Sequence, residues 1–486
     1  MPFDEAHKGD PFHGDFPDPY GGEPPGPLAM AVQQEVDELL RLRFTPLARH
    51  QYLQQLKDRR VLSLGQRPGT PRDDVITPFD FLPATVGFDT LLVPGELLIT
   101  RQSYDSGQGP AGLAEFGLAA DEVSCPVLRD RVLRLVPTGP MGPQQLADAA
   151  RALRGWGLDV SLCSITTLAG VVKPPPRKTS SGTSSGTSSG TAVQAAVEAR
   201  TVPFAGGGPG RRAKVAVIDT GIAAEIRPDR WLAEVPRNGN IDPLDIFPLP
   251  HGDGVLDFAA GHGTFVAGLV QQVAPGADIA VYRAVDSDGM GSEVTVACAM
   301  IQAVIEDGAQ IVNLSLGCQT QDNVPPVAIQ AALEHIGEWA SGNDRDVLIV
   351  AAAGNSGDTT PSWPAAFAPG GSPRVVSVAG LTPDLQPAPW SSRGYWVTCS
   401  TIGQGLRSTY VEGQDPPPPD GSGQVFGPDS WVLWSGTSFA APQITGALAR
   451  RYQDEEIPLP AALDGLLAAG LPVAGFGRAM KILPGI

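Results

Sequence analysis

The sequence lacks any uninterrupted apolar run approaching the ~18 residues that a membrane span needs. Aromatic residues are scarce at 6%, and charged residues make up only 18% of the 486 positions. With 58 glycines and 48 prolines, this excludes a coiled coil, which is built from Ala, Glu, Lys, Leu and Arg. It describes a globular chain rich in turns, long enough for about two to four domains. Cysteine is sparse too: Cys125, Cys163, Cys298, Cys318 and Cys399 are odd in number, widely spaced and without a C-x-x-C. That pattern argues against a disulfide framework or a zinc site and predicts buried reduced thiols. Basic charge is short. Residues 214–486 carry 29 Asp+Glu against 13 Lys+Arg, a net −16, whereas residues 1–213 carry 23 against 21, a net −2. An acidic second half argues against nucleic acid and anionic membranes as partners, and solubility is its ordinary reading. Residues 1–26 hold six acidic residues, one lysine and no apolar stretch. That is the reverse of a secretory signal and predicts a cytoplasmic location.

Residues 1–27 read as a disordered acidic tail rich in Pro and Gly. A helical segment follows over 28–70, with helices expected near 28–43 and 46–60; Val32, Val36, Leu39 and Leu40 keep helical spacing. Residues 71–172 carry strand and helix periods in the order β-α-β-β-α-β. Strands are expected at 96–101, 123–128, 132–137 and 159–168, the middle two joined by a tight turn at 129–131. Helices are expected at 111–118 and 143–156. This is the plan of a small α+β, ferredoxin-like domain. Residues 173–213 are a linker: three prolines, then SSGTSSGTSSGT, which cannot build a core. From Lys214 to the end, strands at 214–219, 279–284, 311–316, 347–353 and 375–380 alternate with helices at 262–274, 292–308 and 326–341. Continuous apolar strands with intervening helices predict a mostly parallel sheet covered on both faces. Ligand chemistry then gathers at the carboxyl ends of the strands.

Three polar residues sit where that rule looks. Asp219 ends the strand KVAVID, His262 opens a helix in GHGTFVAG, and Ser438 enters one in GTSFAAPQ. Each alone has an ordinary reading as a turn residue or helix cap. GHGTFVAG lacks the spacing and the lysine of a phosphate loop. Together, Asp, His and Ser are what nucleophilic catalysis needs. A serine hydroxyl is a weak nucleophile until a histidine takes its proton, and an aspartate holds the imidazole and its developing charge.

VAVIDTGI, GHGTFVAGLV and GTSFAAPQ, with IVNLSLG and VAAAGNSG between them, resemble the signature blocks of the subtilisin-like serine proteases, the subtilases or peptidase S8 family. The resemblance covers about residues 214–452. It implies a serine endopeptidase acting through an acyl-enzyme, with Asp219 the orienting acid, His262 the general base, Ser438 the nucleophile and Asn355 the oxyanion donor. It implies substrate contacts at Gly289-Met290-Gly291, Ser315-Leu316-Gly317 and Ala353-Gly354. No cofactor and no metal site is read from the sequence: the calcium-site residues of secreted members are not recognisable, and Asp286-Ser287-Asp288-Gly289, which has a calcium-loop look, becomes a substrate-side loop under the resemblance. The partner is a protein or peptide substrate, and the ferredoxin-like plan of 71–172 is similar to the family's propeptide, an intramolecular inhibitor and chaperone.

The chain departs from the family in places. Phe439 stands where many members carry Met, so peroxide is expected to spare the serine loop and to act at Cys318 instead. Gln443 replaces a frequent His, Ser356 replaces an acid found near the S1 rim in some members, and 403–429 is a Pro/Gly-rich insertion. Other readings from different classes are a catalytically idle binding module on a protease fold, which the intact Asp219, His262, Ser438 and Asn355 oppose, and an esterase or peptide ligase, which acyl-enzyme chemistry permits.

Overall fold

A computed structural model describes residues 76–168 and 211–485 apart from gaps at 85–88, 107–108, 248–251, 372 and 417–422. It also describes 177–178 and most of 29–40 and 50–60, where the assigned residues are helical. The acidic tail and the SSGT repeat lie outside the described residues.

The chain first builds β1 (Asp80–Leu82), β2 (Thr90–Thr100), α1 (Arg101–Asp105), α2 (Gly109–Glu115), β3 (Leu118–Glu122), β4 (Val132–Pro137), α3 (Pro143–Gly155) and β5 (Val160–Thr167). Strands β3, β4, β2 and β5 lie side by side in that order, all antiparallel, with β1 also on β2. The sheet is apolar on both faces. Leu92, Leu97 and Ile99 of β2 face a cluster with Leu146, Ala150 and Leu153 of α3. Leu91, Val93 and Leu98 of the same strand join a different cluster, described below. The third strand in this region differs from expectation. Residues 118–122 form it, and Pro126–Leu128 is a 3-10 turn, because a proline cannot donate to a ladder and fits a first helical position. The connection to β4 is therefore 123–131 rather than a tight turn.

After β6 (Arg177–Lys178) come β7 (Lys214–Asp219), α4 (His262–Val273), β8 (Asp278–Arg283), β9 (Met290–Ser292), α5 (Glu293–Ile301), β10 (Ile311–Leu314), α6 (Val327–Gly342), β11 (Leu348–Ala352), β12 (Arg374–Leu381) and β13 (Cys399–Ile402). Then follow β14 (Leu406–Thr409), β15 (Gly413–Gln414), β16 (Val425–Phe426), β17 (Trp431–Trp434), α7 (Thr437–Asp454), α8 (Leu459–Ala469), β18 (Leu471–Val473) and β19 (Gly477–Ala479). Eight strands form one sheet in the order β18-β19-β13-β12-β11-β10-β7-β8, parallel except at β18. Alternation along β7 divides the core. Ala216 and Ile218 point into a cluster with α5 and α6, and Val215 and Val217 into one with α4, α7 and α8. Helices therefore cover both faces, which is why these strands read as unbroken apolar runs.

The cluster on the α5–α6 side also contains Leu91, Val93, Leu98, Val132 and Ile165. The N-terminal sheet thus lies between its own α3 and two helices of the larger unit. A disulfide joins Cys125 to Cys298 across this contact, with Cα atoms 5.8 Å apart. That corrects the expectation of five free thiols: cysteines 173 residues apart in sequence meet only through tertiary structure. Cys163, Cys318 and Cys399 are free and buried.

Candidate active site

Asp219 is the last residue of β7, flanked by β8 and β10, and is fully buried. Its Oδ1 accepts the Thr220 N–H at 2.8 Å and lies 2.6 Å from Nδ1 of His262. His262 is the first residue of α4. The helix can start there because Gly263 has no Cβ; one would sit 2.2 Å from the Gly221 carbonyl oxygen. The imidazole packs against the rings of Trp434 and Phe439, with centroids 5.4 and 5.2 Å away. The aromatic that replaces methionine therefore forms a wall of the histidine site.

Ser438 is the second residue of α7, which begins after Gly436 at φ 152°, a conformation that favours glycine. A Cβ there would meet Nδ2 of Asn355 at 3.1 Å. Ser438 Oγ donates to the Ser315 carbonyl at 3.0 Å. Oδ1 of Asn355 accepts the Thr437 N–H and the Thr437 hydroxyl, both at 2.9 Å. These donors fix which end of the amide is oxygen. Nδ2 is left buried without a hydrogen-bond partner. Such an orphan donor beside a serine is what an oxyanion site requires.

Several of the residues expected to contact substrate lie together, and the chain's own N-terminal unit pairs with them. Ile165–Thr167 of β5 pairs antiparallel with Met290–Ser292 of β9. Thr167 and Gly317 exchange backbone hydrogen bonds of 2.9 and 2.8 Å, and the Leu168 N–H donates to the Gly289 carbonyl at 3.1 Å. A cavity of about 40 Å³ opens beneath, lined by Thr167, Gly317, Gly354, Asn355, Ser356 and Ser362 among others. Leu316 and Ala353 lie in the core cluster.

Several residues here carried no sequence signal. Asp242 accepts the Thr220 hydroxyl at 2.7 Å and the Gly261 N–H at 2.9 Å, so it braces both ends of the Asp219–His262 contact. Burial raises its pKa to about 6. Glu293, also buried, accepts Ser164 N–H from β5 at 2.7 Å and Ala328 N–H from α6 at 2.9 Å; burial raises it to about 7. The Arg60 guanidinium lies 2.8 and 2.7 Å from the two oxygens of Asp286, in the loop that leads into β9. Ser362 places its Oγ 2.9 Å from where a Cβ on Gly317 would stand and 3.2 Å from one on Gly354, which makes it the floor between two glycine walls. Cys318 does not fit the weak point expected of it. Burial raises its thiol pKa, so it stays un-ionised and slow to oxidise. Gln443 bonds the Ile402 and Phe439 carbonyls, a structural role.

The model of the subtilase family matches residues 210–467. A thermostable alkaline protease of Halalkalibacterium halodurans is 30% identical over 249 residues, which cover 49% of this chain and 56% of that one. Thermitase of Thermoactinomyces vulgaris is 28% identical over 247 residues, covering 49% and 74%. The chain thus spans little more than half the length of the first of these relatives. Fervidolysin from Fervidobacterium pennivorans, described as a keratinolytic enzyme related to subtilisin, superposes with a TM-score of 0.50 at 22% identity, over 80% of this chain and 60% of that one. That last likeness is one of fold. With the family model matched over more than half of its length, the chain belongs to the subtilase family.

Proposed function

We propose that this chain is a serine endopeptidase. The observation that supports the reading best is the buried Asp219–His262 pair, at 2.6 Å, together with the unpartnered amide of Asn355, whose Oδ1 accepts from Thr437 next to Ser438. Its protease-named relatives support it. Ser438 Oγ leaves the Ser315 carbonyl and attacks the substrate carbonyl while His262 takes its proton. Asp219 holds the imidazole and stabilises its cation. The oxyanion receives hydrogen bonds from Asn355 Nδ2 and the Ser438 N–H. The leaving amine takes the proton from His262, and water, activated by the same base, releases the acid product. A fluorophosphonate probe should label wild type at Ser438 and leave Ser438→Ala unlabelled. Ser438→Ala should also lose peptidase activity by several orders of magnitude. More than about a tenth of the activity kept in Ser438→Ala would show that Ser438 is not the nucleophile, and wild type with neither label nor peptidase activity after removal of residues 1–172 would make the chain a binding module instead.

The region 71–172 is proposed as an intramolecular inhibitor, with 173–213 as the linker cut during maturation. The pairing of β5 with the substrate edge supports this, since it uses backbone groups that an extended peptide would use. Wild type should yield a fragment starting between Gly170 and Lys214, and Ser438→Ala should stay whole. If both stay whole and removing 1–172 changes neither refolding nor activity, the region is a docking domain.

A further inference from the structure

Cys125 lies in the connection between β3 and β4, and Cys298 on α5 of the subtilase unit. Besides this bridge, the contacts between the two units among the described residues are non-covalent: the apolar cluster that Leu91, Val93, Leu98, Val132 and Ile165 share with α5 and α6, the β5–β9 pairing, the Glu293 hydrogen bond to Ser164, and exposed ion pairs such as Arg131–Glu338. A cut anywhere between Leu168 and Lys214 severs the backbone between the units and leaves the bridge in place. We propose that Cys125–Cys298 is a latch: it holds the cut N-terminal unit across the substrate edge until a dithiol reductant opens it. The latch rests on the reading of that unit as an inhibitor.

The exchange is balanced by the reductant. Its thiolate attacks Sγ of Cys298, the less buried residue of the pair, whereas Cys125 is 3% exposed. A mixed disulfide forms, the Cys125–Cys298 bond breaks, and Cys125 departs as a thiolate that takes a proton. The second thiol of the reductant then displaces Cys298, ending with two protein thiols and one oxidised dithiol. The other cysteines stay out of this chemistry. Cys163, Cys318 and Cys399 are buried, and burial pushes all three thiols up, that of Cys399 to about 12. They remain un-ionised near neutral pH. While the bridge is closed, the inhibitor faces the cleft at the high effective concentration of a tethered ligand. Once the bridge opens, dilution removes it. An oxidising compartment would keep the cut enzyme silent and a reducing one would release it.

The latch can be read without self-cleavage. A recognition sequence for a specific protease replaces 180–191 in full-length Ser438→Ala, and the protein is nicked there. On a non-reducing gel after iodoacetamide, the two pieces should run as one band, and dithiothreitol should split them. Self-cut wild type, diluted to nanomolar concentration, should gain at least about ten-fold in peptide hydrolysis on adding dithiothreitol. Cys125→Ser should show that higher rate without it. Nicked pieces that separate without reductant, with Cys125 and Cys298 both alkylated, overturn the latch. So does a self-cut, bridged enzyme whose rate ignores dithiothreitol. If wild type never cuts itself, the self-processing reading fails, and wild type carrying the same recognition sequence, nicked there and diluted, still decides the latch by whether dithiothreitol raises its rate.

Discussion

Ser315 and Ser438 exchange hydrogen bonds. Ser438 Oγ donates to the Ser315 carbonyl at 3.0 Å, and Ser315 Oγ donates to the Ser438 carbonyl at 2.7 Å. Ser315 Oγ also accepts from Asn313 Nδ2, and Asn313 Oδ1 accepts from Thr445, all of them buried. The reactive loop is thus tied to β10 and α7 by a closed polar chain. Ser315→Ala would leave two buried groups unpaired. It should cost about 1–3 kcal/mol, read as a Tm lower by roughly 2–8 °C. An unchanged Tm would show that the chain does not hold the loop.

Asn355 offers the cleanest test of transition-state stabilisation. Asn355→Ala removes Nδ2 and should lower kcat by roughly 10²–10³ with KM little changed. The same variant also loses the acceptor of Thr437, so its Tm must be measured alongside. A loss of KM alone would place Asn355 in ground-state binding.

Glu293 gives a signed pH dependence. Its ordinary pKa is 4.5 and burial raises it to about 7, against the pull of the Ser164 and Ala328 N–H groups. Between those values the folded chain holds a proton that the unfolded chain has released. Stability from this group is therefore full below about 4.5 and is lost as pH rises through about 7, by on the order of 3 kcal/mol. Glu293→Gln should flatten the Tm-against-pH curve between pH ~5 and ~8. A curve as steep as wild type would assign the dependence to Asp242 or Asp286 instead.

Ser362 should limit the residue accepted on the acyl side of the cut. A floor hydroxyl between Gly317 and Gly354 narrows the base of the cavity, which favours small or modest apolar side chains. A peptide library should be cut after such residues rather than after Arg or Lys. Ser362→Gly should shift the preference toward larger side chains. Cleavage mainly after Arg or Lys in wild type would refute the assignment.

Peroxide should leave the activity largely intact. Phe439 has no thioether to oxidise, and Cys318 is buried as the neutral thiol. Inactivation that mass spectrometry maps to Cys318 would restore the view of it as the weak point.

Much of the site was legible because its parts are local. Asp219, His262, Ser438 and Asn355 each sit in a short run whose glycines and flanking apolar residues already specify a strand end or a helix start. The alternation of apolar strands and helices from Lys214 onward dictates a covered parallel sheet. Other features were decided by tertiary structure, since they join residues far apart in a chain whose periodicity records only neighbours. The bond between Cys125 and Cys298, the ion pair of Arg60 with Asp286, the reach of Glu293 to Ser164 and the bracing by Asp242 are of this kind. The strand at 118–122 went unread because its AADE stretch has weak strand character, and pairing with β4 on one side is what makes it a strand. By itself the sequence determined which residues could do chemistry, because backbone conformation and side-chain type are local properties. Only the fold decided what lies against them, because burial, a shared cavity and a raised pKa exist only once distant segments have excluded water together.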